Sequence, residues 1–189
     1  MLEKIPSSLG RAMGGMRAGT RGLVYNRLAG IPAAIAISSP AFVDDGPLPA
    51  RFTADGPGLS PPLEWRGAPA RTAELVLLIE DPDAPMPHPL LHAMAWRLRG
   101  TEGAIAEGAL SSAGHPPQGP PMGRNSYLLR NYLPPDPPSG HGLHHYAFEL
   151  FALDAPAQFQ STPGRTAMID FLTTHAIAMG MMTGTYSRA

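Results

Sequence analysis

The chain contains no cysteine, so structural disulfides, thiolate metal sites and cysteine nucleophiles are all excluded. It also lacks a strong charge of either sign. The net charge is −1, which argues against general nucleic-acid binding. No apolar run approaches the roughly 20 residues needed to span a bilayer. The first residues hold no contiguous hydrophobic stretch of the secretory type, because Gly and Arg interrupt them throughout. A cytoplasmic location is expected. With 189 residues, one main domain with a substantial core is expected.

Proline and glycine are abundant, at 23 and 21 residues. They fall between short apolar runs, so they read as turns of a β-rich fold with few long helices. Glu74 to Glu80 is apolar and β-leaning and reads as a buried strand. Asp81-Pro82-Asp83-Ala84-Pro85 must end it, because each proline removes a backbone donor and fixes φ. Two carboxylates are thereby held at the exit of a strand on a stiffened backbone. His92 follows and leads into a second apolar run, Ala93 to Leu98. Tyr146 to Leu153 alternates as a strand does. Thr166 to Ala178 reads as a helix, with Met168, Ile169, Leu172, His175 and Ala176 on one face. The Met-rich stretch Met179 to Met182 is read with this C-terminal helix, as core rather than ligand contact. Thr101 to Pro138 is long and turn-rich, and a loop of that length in a compact domain is usually functional.

Residues 1–30 differ from the remainder. Lys4, Arg11, Arg17, Arg21 and Arg27 stand against Glu3 alone, whereas the remaining residues carry nine basic against fourteen acidic groups. Leu2, Ile5, Leu9, Met13 and Met16 recur at helical spacing, with Ser7 or Ser8 as a cap. One reading is a basic amphipathic segment for anionic lipid or a partner. The favoured reading is a helix docked on its own domain or across a homodimer, because the apolar face is short and has no aromatic anchor.

Three local features carry chemistry: Asp81 with Asp83, His92, and Gly140-His141-Gly142-Leu143-His144-His145-Tyr146. A carboxylate accepting from one imidazole nitrogen would fix its tautomer and favour the cationic form. Two such histidines with a tyrosine hydroxyl and loop N–H groups make a site suited to phosphate. Each feature alone has a plain structural reading, as a turn or as a hydrogen-bonded core histidine. Zinc on His141, His144 and His145 is disfavoured, since adjacent histidines on a strand point to opposite faces. No cofactor is implied.

The order Leu59-Ser60-Pro61-Pro62-Leu63-Glu64-Trp65, a strand, Asp81-Pro82-Asp83-Ala84-Pro85, His92, Gly123-Arg124-Asn125-Ser126-Tyr127, Tyr132, and Pro137-Pro138-Ser139-Gly140 leading to His144-His145-Tyr146 resembles the phosphatidylethanolamine-binding protein family. The likeness is to its bacterial branch related to Raf-kinase-inhibitor-like proteins, and it covers roughly residues 33 to 185. It implies a mostly β fold: an antiparallel β-sandwich with a large central sheet and short peripheral helices, following the N-terminal helical segment. Residues 31–189 form the domain. The resemblance also implies a small anion pocket lined by Asp81, Asp83, His92, His144 and Tyr146, with Gly140 in its rim. Leu90 and Leu91 stand where relatives commonly have an aromatic residue, and an extra Gly-His pair lengthens the rim so that His141 can join the site.

The function expected is non-enzymatic binding of phosphate, a phospholipid headgroup or another phospho-group, with regulation of a partner protein as an extension. The alternatives are a water-using hydrolase with a His/Asp general base, or a lipid-surface or protein-interaction module through residues 1–30. The chain has no Gly-x-Ser-x-Gly elbow and no cysteine, so no activated nucleophile can be named. A protein partner, peripheral membrane contact and a homodimer stay open at this point; nucleic acid is not expected.

Overall fold

The computed structural model describes residues 7–110 and 119–188. Its strands are β1 (Ala36–Ser38), β2 (Gly46–Pro47), β3 (Leu63–Arg66), β4 (Glu74–Asp81), β5 (Leu90–Leu98), β6 (Gly103–Ile105), β7 (His144–Leu153) and β8 (Ala176–Tyr186). Its helices are α1 (Ser7–Met13), α2 (Val24–Arg27) and α3 (Arg165–His175). The protein is therefore mostly β with two sheets. One has the order β1-β3-β6 and the other β2-β8-β7-β4-β5. Neighbours pair antiparallel, except the short parallel contact of β2 with β8.

Both faces of the larger sheet are covered, and the residue pattern follows from that. Leu75, Leu77 and Ile79 of β4 pack with Tyr146, Phe148 and Leu150 of β7 and with Leu63, Trp65 and Ile105 of the smaller sheet. Val76, Leu78, Phe151 and Leu153 face the other way, onto Val24 of α2 and Met168, Ile169 and Leu172 of α3. Every residue of β4 is thus buried. A strand covered on both faces reads as a continuous apolar run, not an alternating one.

The C-terminal part corrects the sequence reading. The helix ends at His175, and Ala176 onward is β8 rather than further helix. Ala and Met are good helix formers, but propensity is a weak bias that tertiary pairing overrides. β8 pairs with β7 from His144↔Tyr186 to Leu153↔Ala176. Its side chains alternate accordingly: Ala178 and Met182 enter one core, Met179 the other. Gly180 is required by a close approach, since a Cβ there would lie 2.0 Å from the Ile35 carbonyl oxygen.

The described part of the N-terminal segment lies against the domain. Ala18 and Gly19 donate their backbone N–H groups to the carbonyls of Ala84 and Pro82, at 3.1 and 2.8 Å. Further on, Val24 N–H donates to Glu80 Oε2 (3.0 Å) and Tyr25 N–H to Glu149 Oε2 (3.1 Å). Arg165 completes the closure, donating from Nε to Glu80 Oε1 at 2.6 Å and from its terminal nitrogen to the Gly22 carbonyl at 2.7 Å. Leu2 and Ile5 of the helical pattern lie outside the described residues. Among the described residues no helix is long and apolar enough to cross a membrane.

Candidate functional site

The larger sheet ends where β4 meets Pro82 and β7 begins at His144, and a cavity of about 320 Å³ opens there. Asp81, His92, His144 and Tyr146 line it together with Asp136 and an apolar collar that includes Pro85, Leu90, Tyr127, Leu129, Pro134 and Pro138. Among the described residues, no lysine or arginine lines it. A wider hollow of about 670 Å³ lies beside Trp96, Met122 and Phe159 at the β5 edge. Among the described residues, Arg130, Gln160, Ser161 and Thr162 are its polar side chains, and no carboxylate or imidazole lines it, whereas the smaller cavity carries both.

Local bonds explain why Asp81 is fixed. Its Oδ1 accepts the N–H groups of Asp83 (2.7 Å) and Ala84 (3.1 Å), an Asx-type turn within the proline-stiffened exit of β4. Its Oδ2 accepts from His144 Nδ1 at 2.8 Å, with both side chains buried. The other ring nitrogen of His144 is also engaged: Nε2 lies 2.7 Å from Nδ1 of His141. His144 therefore presents the cavity with its ring rather than with a free nitrogen.

His92 and Tyr146 do offer free polar atoms. His92 Nδ1 lies 2.7 Å from the Leu133 carbonyl, which can only accept, so Nδ1 carries the proton. Burial lowers the basicity of His92 below the usual histidine range, although the charge of Asp81 works in the opposite direction. The ring is neutral and its Nε2 is an acceptor. That atom and the Tyr146 hydroxyl are both buried and have no partner among the described residues. The two rings meet edge to face at 5.2 Å. Burial, with Asp81 next, raises Tyr146 well above the ordinary phenol range, so it remains a hydroxyl.

The long loop supplies the opposite wall. Leu133 N–H donates to the His92 carbonyl (2.8 Å), so residue 133 is tied to both the backbone and the ring of His92. Asn125 Oδ1 accepts the N–H groups of Tyr127 (2.9 Å) and Leu129 (3.1 Å), curling the chain so that both side chains reach the collar. Arg188 holds the rim: it donates to Asp136 Oδ1 at 2.5 Å and to Asp55 Oδ1 at 2.6 Å. Its bonds hold the Asp55 carboxyl below the usual range.

Asp83 and Gly140 do not line the cavity. Asp83 pairs with Arg17 and accepts from both the backbone N–H (2.8 Å) and the ring (2.7 Å) of His145. Burial opposes its ionisation, but the bonds from His145 and Arg17 outweigh this and hold its carboxyl below the ordinary range. Gly140 has φ +78° and donates its N–H to the Arg188 carbonyl at 3.0 Å, shaping the rim from behind. His144 turns inward and His145 outward, as the strand period requires. His141 joins the network through His144 without lining the cavity. Sequence reasoning assigned no role to Arg188, whose guanidinium ties Asp55 to Asp136, to Leu133, whose backbone holds His92, or to Asn125, whose side chain curls the loop. Among the described residues, no cluster of three or more His, Asp or Glu side chains is placed to hold a metal ion.

The phosphatidylethanolamine-binding protein family matches residues 38–187 of the chain. The chain belongs to that family. Among its relatives is a UPF0098 protein of Pyrococcus horikoshii, 32% identical over 154 residues, spanning 79% of this chain and 75% of that one. Another, a UPF0098 protein of Mycobacterium tuberculosis, is 38% identical over 153 residues, 80% of this chain and 70% of that one. Among solved structures, a phosphatidylethanolamine-binding protein homolog from Chlamydia trachomatis superimposes with a TM-score of 0.73 at 29% identity, covering 82% of this chain and 99% of that one. The family match begins at the end of β1 and leaves out the N-terminal segment that closes over Glu80 and Glu149.

Proposed function

We propose that the chain binds a small phosphorylated or otherwise anionic ligand in the cavity of Asp81, His92, His144 and Tyr146, without turning it over. The observation that carries this reading is the pair of buried, unpartnered atoms, His92 Nε2 and Tyr146 Oη. Buried polar groups are almost always hydrogen-bonded, so two such atoms in one cavity support the reading that a ligand's polar head binds there. Their chemistry is complementary. The tyrosine hydroxyl donates to an anionic oxygen, and the neutral His92 accepts from a P–OH group. With no lysine or arginine at hand, the singly protonated form of a phosphomonoester suits the cavity better than the dianion. The apolar collar of Leu90, Tyr127 and Leu129 accommodates the carbon part of such a ligand.

The reading without turnover is supported at His144, the histidine that Asp81 orients; His92 has no carboxylate bonded to its ring. The Asp81 partner gives His144 the form of an oriented base. The nitrogen that would take a proton from water is bonded to His141 instead.

The test is a phosphorus-NMR titration of the full chain with inorganic phosphate and with phosphoethanolamine, beside the variant His144→Ala. Saturable broadening that the variant loses supports the reading. No broadening, or equal broadening in both proteins, overturns it. Release of inorganic phosphate from phosphoethanolamine by the native chain, absent in the variant, would replace binding by hydrolysis.

A further inference from the structure

Four groups form a continuous chain through the pocket wall: Asp81 Oδ2, His144, His141 and the Met13 carbonyl. Their separations are 2.8, 2.7 and 3.0 Å. Both ends of this chain can only accept, given an ionised Asp81. His144 must then carry a proton on Nδ1, and His141 must carry one on Nε2. If both rings were neutral, the middle contact would set two lone pairs against each other at 2.7 Å. Protonating Asp81 instead would move the extra proton without removing the need for it. In either arrangement, the three side chains hold one proton more than a carboxylate and two neutral imidazoles.

We propose that His141 and His144 share this proton, that it latches α1 onto the pocket wall, and that pocket occupancy and docking of this helix are thereby linked. The link to occupancy rests on the anion-binding reading above.

The geometry on the α1 side is close. A Cβ at Gly10 would fall 2.0 Å from the Ser139 carbonyl oxygen, so the helix sits directly on the loop that carries His141. The Met13 carbonyl that receives His141 also accepts the Met16 N–H at 2.7 Å, so the bond reaches the turn after the helix. Among the described residues, the charged and titratable groups around the pair are Asp81 on β4, Arg17 on the N-terminal segment, and His92, Tyr146 and Asp136 around the cavity. Burial first, then the neighbouring His144 and Arg17, lower the basicity of His141, while its bond to the Met13 carbonyl works the other way. The shared proton is therefore drawn away from His141, towards the cavity side of the pair. An anion in the cavity adds a favourable charge on that side and stabilises the latched state. By linkage, docking of the helix strengthens anion binding to the same extent.

The experiment uses the full chain labelled with nitrogen-15 in histidine, without ligand, across about pH 5.5 to 8.5, the range in which histidines titrate. His141 and His144 should lose one proton in a single common step. Across that step, amide protection of Met16 and Ala18, corrected for intrinsic exchange, should fall about fivefold, the weight of one lost hydrogen bond. In His141→Gln the side-chain amide donates to His144 Nε2 without an extra proton. That variant should lose the step and keep its protection throughout. Two independent titrations, protection unchanged across the step, or a step persisting in His141→Gln would overturn the latch. Inorganic phosphate should move the native step to higher pH. Phosphate that binds without moving it would overturn the link to occupancy. Failure of phosphate to bind would instead sink the functional reading, and the ligand-free step would still decide the latch.

Discussion

Arg165 Nε donates to Glu80 Oε1 at 2.6 Å, and Glu80 is fully buried on the face of the sheet that α2 covers. The same guanidinium reaches the Gly22 carbonyl, so one side chain of α3 holds both a buried charge and the strap above it. Burial raises the Glu80 carboxyl, with the Arg165 bond pulling the other way. Removing the partner of a buried charge costs more than forming the pair ever gains. Arg165→Ala should therefore lose about 3 kcal/mol of stability at alkaline pH, near the low end for a broken buried pair because Arg165 is partly exposed. The loss should shrink on acidification, as Glu80 takes up a proton in place of its partner. Urea unfolding on both sides of neutrality checks it; an equal loss at both values would refute the account.

Glu149 lies on the same face, two positions from direct register with Glu80, and its Oε1 is buried without a partner among the described residues. Burial, and then the charge of Glu80, raises its carboxyl well above the usual range. The folded protein thus holds a proton there that the unfolded chain releases above about pH 4.3. Stability from this group is fully present below that value and is lost as pH rises towards the folded value. Glu149→Gln removes this dependence. Relative to the native chain, the variant should gain about 1.4 kcal/mol for each pH unit above 5, until the folded value is reached. A difference in unfolding free energy that stays constant with pH would show that Glu149 ionises normally.

His92 has the opposite sign. Its folded form is neutral because of burial, whereas the unfolded chain protonates near its ordinary value of about 6.5. Acid therefore favours unfolding below that value. His92→Asn keeps a donor at the Nδ1 position for the Leu133 carbonyl but cannot titrate. The native chain should lose stability relative to this variant as pH falls from about 6.5, by at most about 1.4 kcal/mol per unit. Thermal midpoints of both proteins at neutral and mildly acidic pH would show it, and parallel curves would refute it.

The legibility of this site in the sequence differed residue by residue, for physical reasons. Asp81 was readable because prolines leave a strand end few conformations, and His144 because period-two alternation separates it from the exposed His145. Asp83 and Gly140 sit beside the cavity rather than in it, since a neighbour in sequence need not share a wall. The bond from His141 to His144 arises because Gly140 and Gly142 both adopt positive φ, at +78° and +104°, folding the ring back on its neighbour. No side-chain pattern announces such a turn. β8 was obscured because Ala and Met are good helix formers whose strand pairing is set by β7. β1, β3 and β6, of three or four residues each, are too short to show a period.

Tyr146 separates a structural role from a binding role most cleanly. Its ring is buried, and its hydroxyl has no partner among the described residues. Deleting a hydroxyl that makes no hydrogen bond removes a desolvation cost without removing a contact. Tyr146→Phe should be as stable as the native chain or slightly more so, within about 1 kcal/mol. If the hydroxyl donates to a bound anion, the same variant should bind inorganic phosphate about tenfold more weakly, the weight of a hydrogen bond to a charged group. Calorimetric titration beside thermal unfolding reads both quantities on one sample. A large loss of stability would mean that the hydroxyl has a structural partner. Unchanged affinity in a stable variant would place the anion elsewhere in the cavity, away from β7.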